Sequence, residues 1–148
     1  MKALILFLML IPLTLQAAPS RRNCSYYLDV EKEYSCGFNG YPLKFGYRLC
    51  NKYLSAESQM PQRVKTWFPK IRLCLQKYLE DQRGAIRDCS DLHRKAINSH
   101  IGCYVQTGFC DLGVMDQAAI LRVTSTDVLN PDVLGLSFKV KAACLSRK

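Results

Sequence analysis

The chain has 148 residues, a formal net charge of +9 at pH 7, 49% hydrophobic residues and 22% charged residues. This length allows one domain, and this composition excludes an intrinsically disordered chain and a collagen-like fibre. The only long apolar run, Ala3 to Leu15, is too short for a spanning helix, so no transmembrane segment is expected.

The N-terminus has the pattern of a secretory signal peptide. Lys2 precedes the apolar run, and the small residues Ala17 and Ala18 follow it. A positive charge, a short apolar stretch and small residues in this order are typical of a segment that is cleaved during export. We therefore expect a signal peptide at residues 1–18 and a secreted, basic domain at residues 19–148.

Eight cysteines lie beyond the apolar run: Cys24, Cys36, Cys50, Cys74, Cys89, Cys103, Cys110 and Cys144. An even number of cysteines in a small exported chain indicates a disulfide framework, because bridges persist in oxidising compartments. The alternative is zinc, which favours ligand pairs separated by two to four residues. The nearest pair here, Cys103 and Cys110, has six residues between them, so disulfides are favoured. Spacing alone does not select among the many pairings of eight cysteines.

The N-terminal third contains few apolar residues at regular spacing. Ser20 to Glu33 is polar and contains the sequon Asn23-Cys24-Ser25, so Asn23 is a candidate glycosylation site where the secretory pathway glycosylates. Gly37 to Gly46 holds three glycines and one proline, which predicts a loop that leads into a helix. The apolar spacing of Leu43 to Leu54 predicts a short helix.

Two longer segments have helical periodicity. In Val64 to Leu79 the apolar side chains fall on one arc of a helix. Pro69 lies inside this segment, so we expect the helix to begin near Phe68 or to be kinked there. Ala85 to Tyr104 repeats the pattern, and its two cysteines, at positions 89 and 103, share the apolar face.

The C-terminal part predicts one short helix and one ambiguous segment. The short helix runs from Met115 or Asp116 to about Val123. Beyond it, apolar residues alternate as in a strand: Leu134, Leu136, Phe138 and Val140. Asn130 followed by Pro131 is nevertheless typical of a helix start, and helix is favoured there. The expected fold is mainly α, a small disulfide-stapled helical domain.

Residues suited to catalysis are few. The only histidines, His93 and His100, lie seven residues apart and so on one helix face. A third metal ligand is not evident, and two histidines on one face do not oppose each other across a ribonuclease cleft. No Walker loop, GxSxG or HExxH motif occurs. We expect no enzyme, no cofactor and no metal, with a small hydrolase using His93 as a distant alternative.

Basic residues are concentrated in the middle third: Arg63, Lys65, Lys70, Arg72, Lys77, Arg83, Arg87, Arg94 and Lys95. In a secreted protein such charge would meet sulfated glycans or anionic lipid before nucleic acid. Solubility alone is the competing explanation, and four interleaved carboxylates reduce the field: Glu80, Asp81, Asp88 and Asp91. We expect Lys65, Arg72 and Lys77 to form a solvated binding surface, with no nucleic acid as partner.

The cysteine pattern resembles that of a known family. From Leu49-Cys50 through Leu73-Cys74, Asp88-Cys89-Ser90 and Gly102-Cys103-Tyr104 to Phe109-Cys110, the gaps between cysteines are 23, 14, 13 and 6 residues. This rhythm is similar to that of the stanniocalcin family of secreted glycoprotein hormones. The resemblance extends from Cys24 to Cys144 and implies four pairs: Cys24–Cys50, Cys36–Cys89, Cys74–Cys103 and Cys110–Cys144.

The resemblance also implies a function. A stanniocalcin-like protein would be a hormone-like or regulatory glycoprotein, concerned with calcium and phosphate homeostasis or with inhibition of a secreted proteinase. It would act by binding an extracellular protein without catalysis. The family's C-terminal cysteine that links two chains has no counterpart before Lys148, so a monomer or non-covalent dimer is expected. The family's glycan site does not transfer to Asn23. The alternative is a basic secreted effector or glycan-binding protein that keeps only the scaffold.

Overall fold

The fold is known from a computed structural model that describes residues 16–127 and 129–147, so most of the expected signal peptide lies outside the described residues. The described residues form six α-helices and no strand. The helices are α1 (Tyr26–Tyr34), α2 (Arg48–Ala56), α3 (Gln62–Gln82), α4 (Cys89–Gln106), α5 (Val114–Val123) and α6 (Pro131–Leu145). The expected mainly α fold is confirmed. Across residues 16–127 and 129–147, no helix combines the length and apolar character needed to cross a membrane.

α1 lies in a segment for which the sequence predicted no helix. Its buried side chains, Tyr26, Tyr27 and Val30, are set among charged residues, so the segment reads as polar. Their spacing nevertheless places them on one side of a helix. The helix ends at Ser35, which adopts a left-handed conformation with φ of 51°.

Of the two alternatives expected at Pro69, the helix start near Phe68 is wrong, because α3 runs from Gln62 through Pro69 to Gln82. A proline inside a helix removes one N–H donor and costs about 3 kcal/mol. Val64 and Trp67, which precede the proline, are only 0% and 2% exposed. Burying each such side chain contributes roughly 1.5–3 kcal/mol, which offsets the proline.

α4 begins at Cys89 and not at the expected Ala85. The reason is a helix cap, since the Asp88 carboxylate accepts a hydrogen bond from the Asp91 N–H at 2.8 Å. Such a cap satisfies one of the donors that the first helical turn leaves unpaired. Ala85 belongs instead to a 3-10 turn that joins α3 to α4.

The C-terminal segment is helical, as the sequence analysis favoured. The Asn130 side chain accepts a hydrogen bond from the Asp132 N–H at 2.9 Å, and Pro131 is the first residue of α6. This is the cap-then-proline start that the sequence predicted. α6 packs mainly against α4. α5 begins at Val114, next to its expected start.

The predicted loop from Gly37 to Gly46 is only partly present, because a π-helical turn, Pro42–Tyr47, leads directly into α2. The wider turn brings Gly46 against the buried ring of Tyr27. A Cβ atom on Gly46 would lie 2.4 Å from Tyr27 Cδ1. Only glycine therefore fits at this position without a shift of the ring or of the turn.

Gly46→Ala is expected to lower the free energy of unfolding by about 1–3 kcal/mol, since overpacking forces buried groups to move. Urea denaturation measures the change. The matched control is Gly135→Ala in α6, where nothing lies within 4 Å of an added Cβ. Gly135→Ala should stabilise the protein by roughly 0.5–1 kcal/mol, because alanine loses less entropy than glycine in a helix. The same sign for both variants would contradict the close packing of Gly46.

Four disulfides staple the helices: Cys24–Cys50, Cys36–Cys89, Cys74–Cys103 and Cys110–Cys144. They are the same pairs that the resemblance implies. The two cysteines of α4, Cys89 and Cys103, share one face of the helix yet reach different partners. No cysteine is left free.

The buried side chains form two clusters. The first joins α1, the π-helical turn and the first half of α4: Cys24, Tyr26, Tyr27, Val30, Tyr41, Phe45, Cys50, Leu79, Leu92 and Ala96. The second surrounds α3: Tyr53, Val64, Trp67, Phe68, Ile71, Leu75, Cys103 and Ile120. α3 contributes to both clusters and is therefore the central helix of the domain.

Candidate functional site: a basic stripe and an apolar cavity

Arg72, which the sequence placed on an exposed binding surface, is buried instead, with 3% of its surface exposed. Its Nε donates to the Arg21 carbonyl oxygen at 2.9 Å, and its Nη2 donates to the Glu57 carboxylate at 2.5 Å. Arg72 follows Arg63 by nine residues, which is two and a half turns and places it on the opposite side of α3. The prediction that Arg72 belongs to an exposed binding surface is therefore wrong.

The two lysines of the expected surface also lie apart. Lys77 is exposed, whereas Lys65 is half-buried. They are twelve positions apart in the chain, which turns them about 120° from each other around α3. The described structure thus does not bring Lys65, Arg72 and Lys77 together on one surface.

Most other basic residues of the middle third are paired with carboxylates: Arg83 with Glu33 and Glu80, and Arg87, Arg94 and Lys95 with Asp91. Asp91 is buried and lies 3.0 Å from Lys95 Nζ. The hydrogen bond from Lys95 holds the pKa of Asp91 below its usual value. These charges are therefore largely compensated within the protein.

Arg63, Lys70 and Lys77 form an exposed row on α3, here called the basic stripe. Their seven-residue spacing is close to two helical turns, so they share one face at intervals of about 10 Å. In the described part of the chain, no carboxylate lies within 4 Å of their charged groups. Among the basic residues of the middle third, these three are the ones that are both exposed and without a carboxylate partner in the described part of the chain.

The two histidines of α4 have separate environments. His93 Nε2 lies 3.2 Å from the Asp132 carboxylate of α6, and its ring packs edge-on against Phe45. His100 Nδ1 donates to the Ala96 carbonyl oxygen at 2.8 Å, and burial lowers the pKa of His100 to about 4. Within residues 16–127 and 129–147, no group of three His, Cys, Asp or Glu residues could hold a metal ion.

Asn23, the candidate glycan acceptor, is exposed just before α1. Its side-chain oxygen accepts a hydrogen bond from Ser25 Oγ at 2.8 Å. The backbone around it is anchored, because Gln76 Nε2 donates to the carbonyl oxygens of Ser20 at 3.1 Å and of Asn23 at 3.2 Å. The Asn23 side chain is therefore accessible on a fixed backbone, and its glycosylation remains a prediction.

An apolar cavity of about 320 Å³ lies between the two clusters. All six helices contribute to its wall, with buried side chains such as Tyr27, Phe45, Leu75, Ile120 and Val140 inside. Its exposed wall residues are all on α5 and α6: Leu121, Ser137 and Lys141. The mouth therefore lies between these two helices. Its volume is at the lower end of ordinary small-molecule pockets, which span about 300–1,000 Å³.

The polar groups of the cavity wall are few. The hydroxyls of Tyr53 and Tyr104 lie 3.2 Å apart, and burial raises the pKa of both residues, so both stay neutral. Two charged residues line the cavity: Arg72, which is buried, and Lys141, which is exposed at the mouth. The Nη1 of Arg72 is buried and has no hydrogen-bond partner among the described residues. A buried donor of this kind is unusual and requires a reason.

Comparisons with models of known protein families, with curated proteins and with solved structures found no match. The fold and the site therefore define the class by themselves. It is a helical domain braced by four disulfides, with a basic stripe on one side of α3 and an apolar cavity on the other. Four disulfides are typical of proteins that work in an oxidising, extracellular environment.

Proposed function

We propose that this chain is a secreted regulatory protein of a stanniocalcin-like kind, which binds an acidic extracellular protein without catalysis. The partner would be a receptor or a secreted proteinase. The observation that carries the proposal is the basic stripe, whose three charges are exposed and unpaired among the described residues. The spacing of the eight cysteines and the four disulfides of the fold support the stanniocalcin-like part of the proposal.

A fixed framework supports recognition by this surface. The Cys74–Cys103 bridge joins α3 to α4, so the helix that carries the stripe is held on the domain. A surface ordered before binding loses less conformational entropy when the complex forms. Charges at regular intervals on such a surface favour a partner of complementary charge and speed the encounter with it.

The surroundings of the histidines favour binding over hydrolysis. His93 is engaged with the Asp132 carboxylate, and His100 hydrogen-bonds its own helix. Neither histidine has a serine, threonine or cysteine hydrogen-bonded to it among the described residues, as an activated nucleophile would be. A hydrolase that uses His93 is therefore not the function that we propose.

Charge reversal tests the stripe. The triple variant R63E/K70E/K77E is expected to bind the cell surface at least about tenfold more weakly at low salt, because three attractive contacts become repulsive. The difference should shrink as salt rises and screens the charges. The matched control R22E/R122E/K139E makes the same change in net charge at three other exposed positions. Equal losses in both variants would mean that net charge alone matters and would contradict the stripe.

A sulfated glycan is the second candidate partner. The regular spacing of about 10 Å along α3 would fit a linear polyanion as well as an acidic protein. Removing heparan sulfate from the cells with heparinase separates the two. Binding that persists after heparinase and is still lost in R63E/K70E/K77E supports a protein partner, whereas loss after heparinase supports the glycan.

A further inference from the structure

We infer that the cavity binds one single-chain amphiphile with an anionic head group, such as a medium-chain fatty acid, whose carboxylate pairs with Lys141 at the mouth. The alkyl chain of this ligand lies in the apolar interior. Arg63, Lys70 and Lys77 of the basic stripe do not line the cavity, so this site is separate from the surface proposed for the protein partner. Three features point to such a ligand: the size of the cavity, the pairing of its interior polar groups and the place of Lys141.

The size of the cavity sets the length of the alkyl chain. Its volume is about 320 Å³. A dry apolar cavity of roughly 150 Å³ accepts one benzene molecule, so this one has room for about ten to twelve carbon atoms. Its wall contains many aliphatic and aromatic side chains, such as Leu75, Ile120 and Val140, against which an alkyl chain packs.

Several polar side chains of the wall away from the mouth are already hydrogen-bonded within the protein. The hydroxyls of Tyr53 and Tyr104 lie 3.2 Å apart, and His100 Nδ1 donates to a carbonyl oxygen of its own helix at 2.8 Å. Gln117 Nε2 and Thr124 Oγ1 also donate to backbone carbonyl oxygens, at 3.0 and 3.3 Å. These five side chains therefore do not need a polar ligand group as a partner.

The charges of the interior are also balanced without a ligand. Arg72 is buried, and its positive charge is compensated by the Glu57 carboxylate, 2.5 Å from Nη2. Burial raises the pKa of Tyr53 and Tyr104 and lowers that of His100, so all three are neutral at pH 7.4. A charged head group in the interior would lose its hydration without gaining a free counter-charge, which is unfavourable. The head group therefore stays at the mouth.

Lys141 supplies a positive charge at the mouth. It is exposed, and no carboxylate of residues 16–127 and 129–147 lies within 4 Å of its ammonium group. The cavity wall itself contains no Asp or Glu in the described part of the chain. Ser137, one turn earlier on α6, already donates its hydroxyl to the Val133 carbonyl oxygen at 2.8 Å.

The geometry of a lysine side chain suits this position. Lys141 lines the cavity from the same side of α6 as Ser137 and Val140. Lysine packs its aliphatic stem on apolar surface while its ammonium group stays in water. A carboxylate at the mouth therefore pairs with Lys141 while both charges keep part of their hydration.

Two ten-carbon probes of opposite charge test the head group on the unchanged protein: decanoate and decylammonium at pH 7.4, each below its critical micelle concentration. Trp67, the single tryptophan, reports binding by fluorescence, because its ring lies 5.2 Å from Tyr104 and 5.5 Å from Phe109, which line the cavity. We expect one decanoate per chain, bound about tenfold more tightly than decylammonium. Equal or tighter binding of decylammonium would overturn the anionic head group. No saturable binding of either probe would overturn the site.

Two lysines of α6 make a matched pair of variants that locates the head group. Lys141→Glu reverses the charge at the mouth, and Lys139→Glu makes the same change at an exposed position that does not line the cavity. We expect Lys141→Glu to lower the preference for decanoate over decylammonium at least tenfold, and Lys139→Glu to change it less than about twofold. The same change in both variants would mean that net charge alone sets the preference and would overturn the assignment of Lys141.

The length of the chain tests whether the tail lies in the cavity. Each buried CH₂ group should raise affinity roughly threefold to fourfold, so dodecanoate should bind the unchanged protein much more tightly than octanoate. Hexadecanoate exceeds the space available, and we expect its affinity to be no higher than that of dodecanoate. A continued rise to hexadecanoate would indicate adsorption on an open surface and would overturn the cavity as the site.

Discussion

The double variant C36A/C89A is expected to lower the free energy of unfolding by about 2–5 kcal/mol. The bridge joins residues 53 positions apart, so its loss frees a long loop in the unfolded chain. In the folded chain it holds the segment after α1 against the first residue of α4. Tyr34 lies beside this junction, and its hydroxyl donates to the Arg83 carbonyl oxygen at 2.8 Å. Urea denaturation at neutral pH measures the loss.

The control is C110A/C144A, which opens a loop with a separation of 34 residues. Opening either loop raises the entropy of the unfolded chain by nearly the same amount, which corresponds to a loss of about 4 kcal/mol of stability at 25 °C. The local effects should differ, because the second bridge holds only the end of α6. Amide exchange is expected to rise in α6 alone in C110A/C144A and throughout α1 and the start of α4 in C36A/C89A. The same exchange pattern in both variants would contradict this assignment.

Periodicity predicted α3, because this helix has a long apolar face that determines its burial. In α6 the apolar residues alternate, and the helix start at Asn130 and Pro131 favoured a helix there. Leu75 and Leu79 lie on the predicted arc of α3 and are buried. The start of α4 is determined by a local helix cap, because Asp88 caps a helix that begins at Cys89. α1 was not predicted from the sequence, because two of its three buried residues are tyrosines. A tyrosine counts as neither clearly apolar nor clearly polar until its neighbours are known.

Arg72 shows why the expected binding surface failed. The residue follows Ile71 and precedes Leu75 by three positions, so it lies at the border of the buried arc of α3. A charged side chain at such a border is usually exposed, which is what the sequence analysis assumed. Here Glu57, fifteen positions away in the chain, supplies the carboxylate that makes burial of Arg72 tolerable. Only the folded arrangement brings that partner to it.

The cavity could not be predicted from the sequence, because its wall is assembled from all six helices and from residues as far apart as Tyr27 and Lys141. Each of these residues alone resembles an ordinary core or surface residue. The basic stripe was within reach of sequence analysis. Arg63, Lys70 and Lys77 repeat at seven-residue intervals, and only the choice among the basic residues of α3 required the structure.

Phe68→Ala is expected to lower the free energy of unfolding by about 3–5 kcal/mol, the usual effect of removing a buried phenylalanine. The ring of Phe68 is fully buried and stacks on Tyr53 with centroids 4.8 Å apart. It also directly precedes Pro69, so it belongs to the apolar contacts that stabilise α3 through the proline. Far-UV circular dichroism during urea denaturation measures the change.

The matched control for Phe68→Ala is Phe138→Ala in α6, where the side chain is 69% exposed. Surface substitutions of this kind usually change stability by less than about 0.5 kcal/mol. Adding Pro69→Ala to the Phe68→Ala variant should recover part of the loss, because the missing N–H donor is restored to the helix. If Phe68→Ala destabilises no more than Phe138→Ala, burial at Phe68 does not hold α3 through the proline.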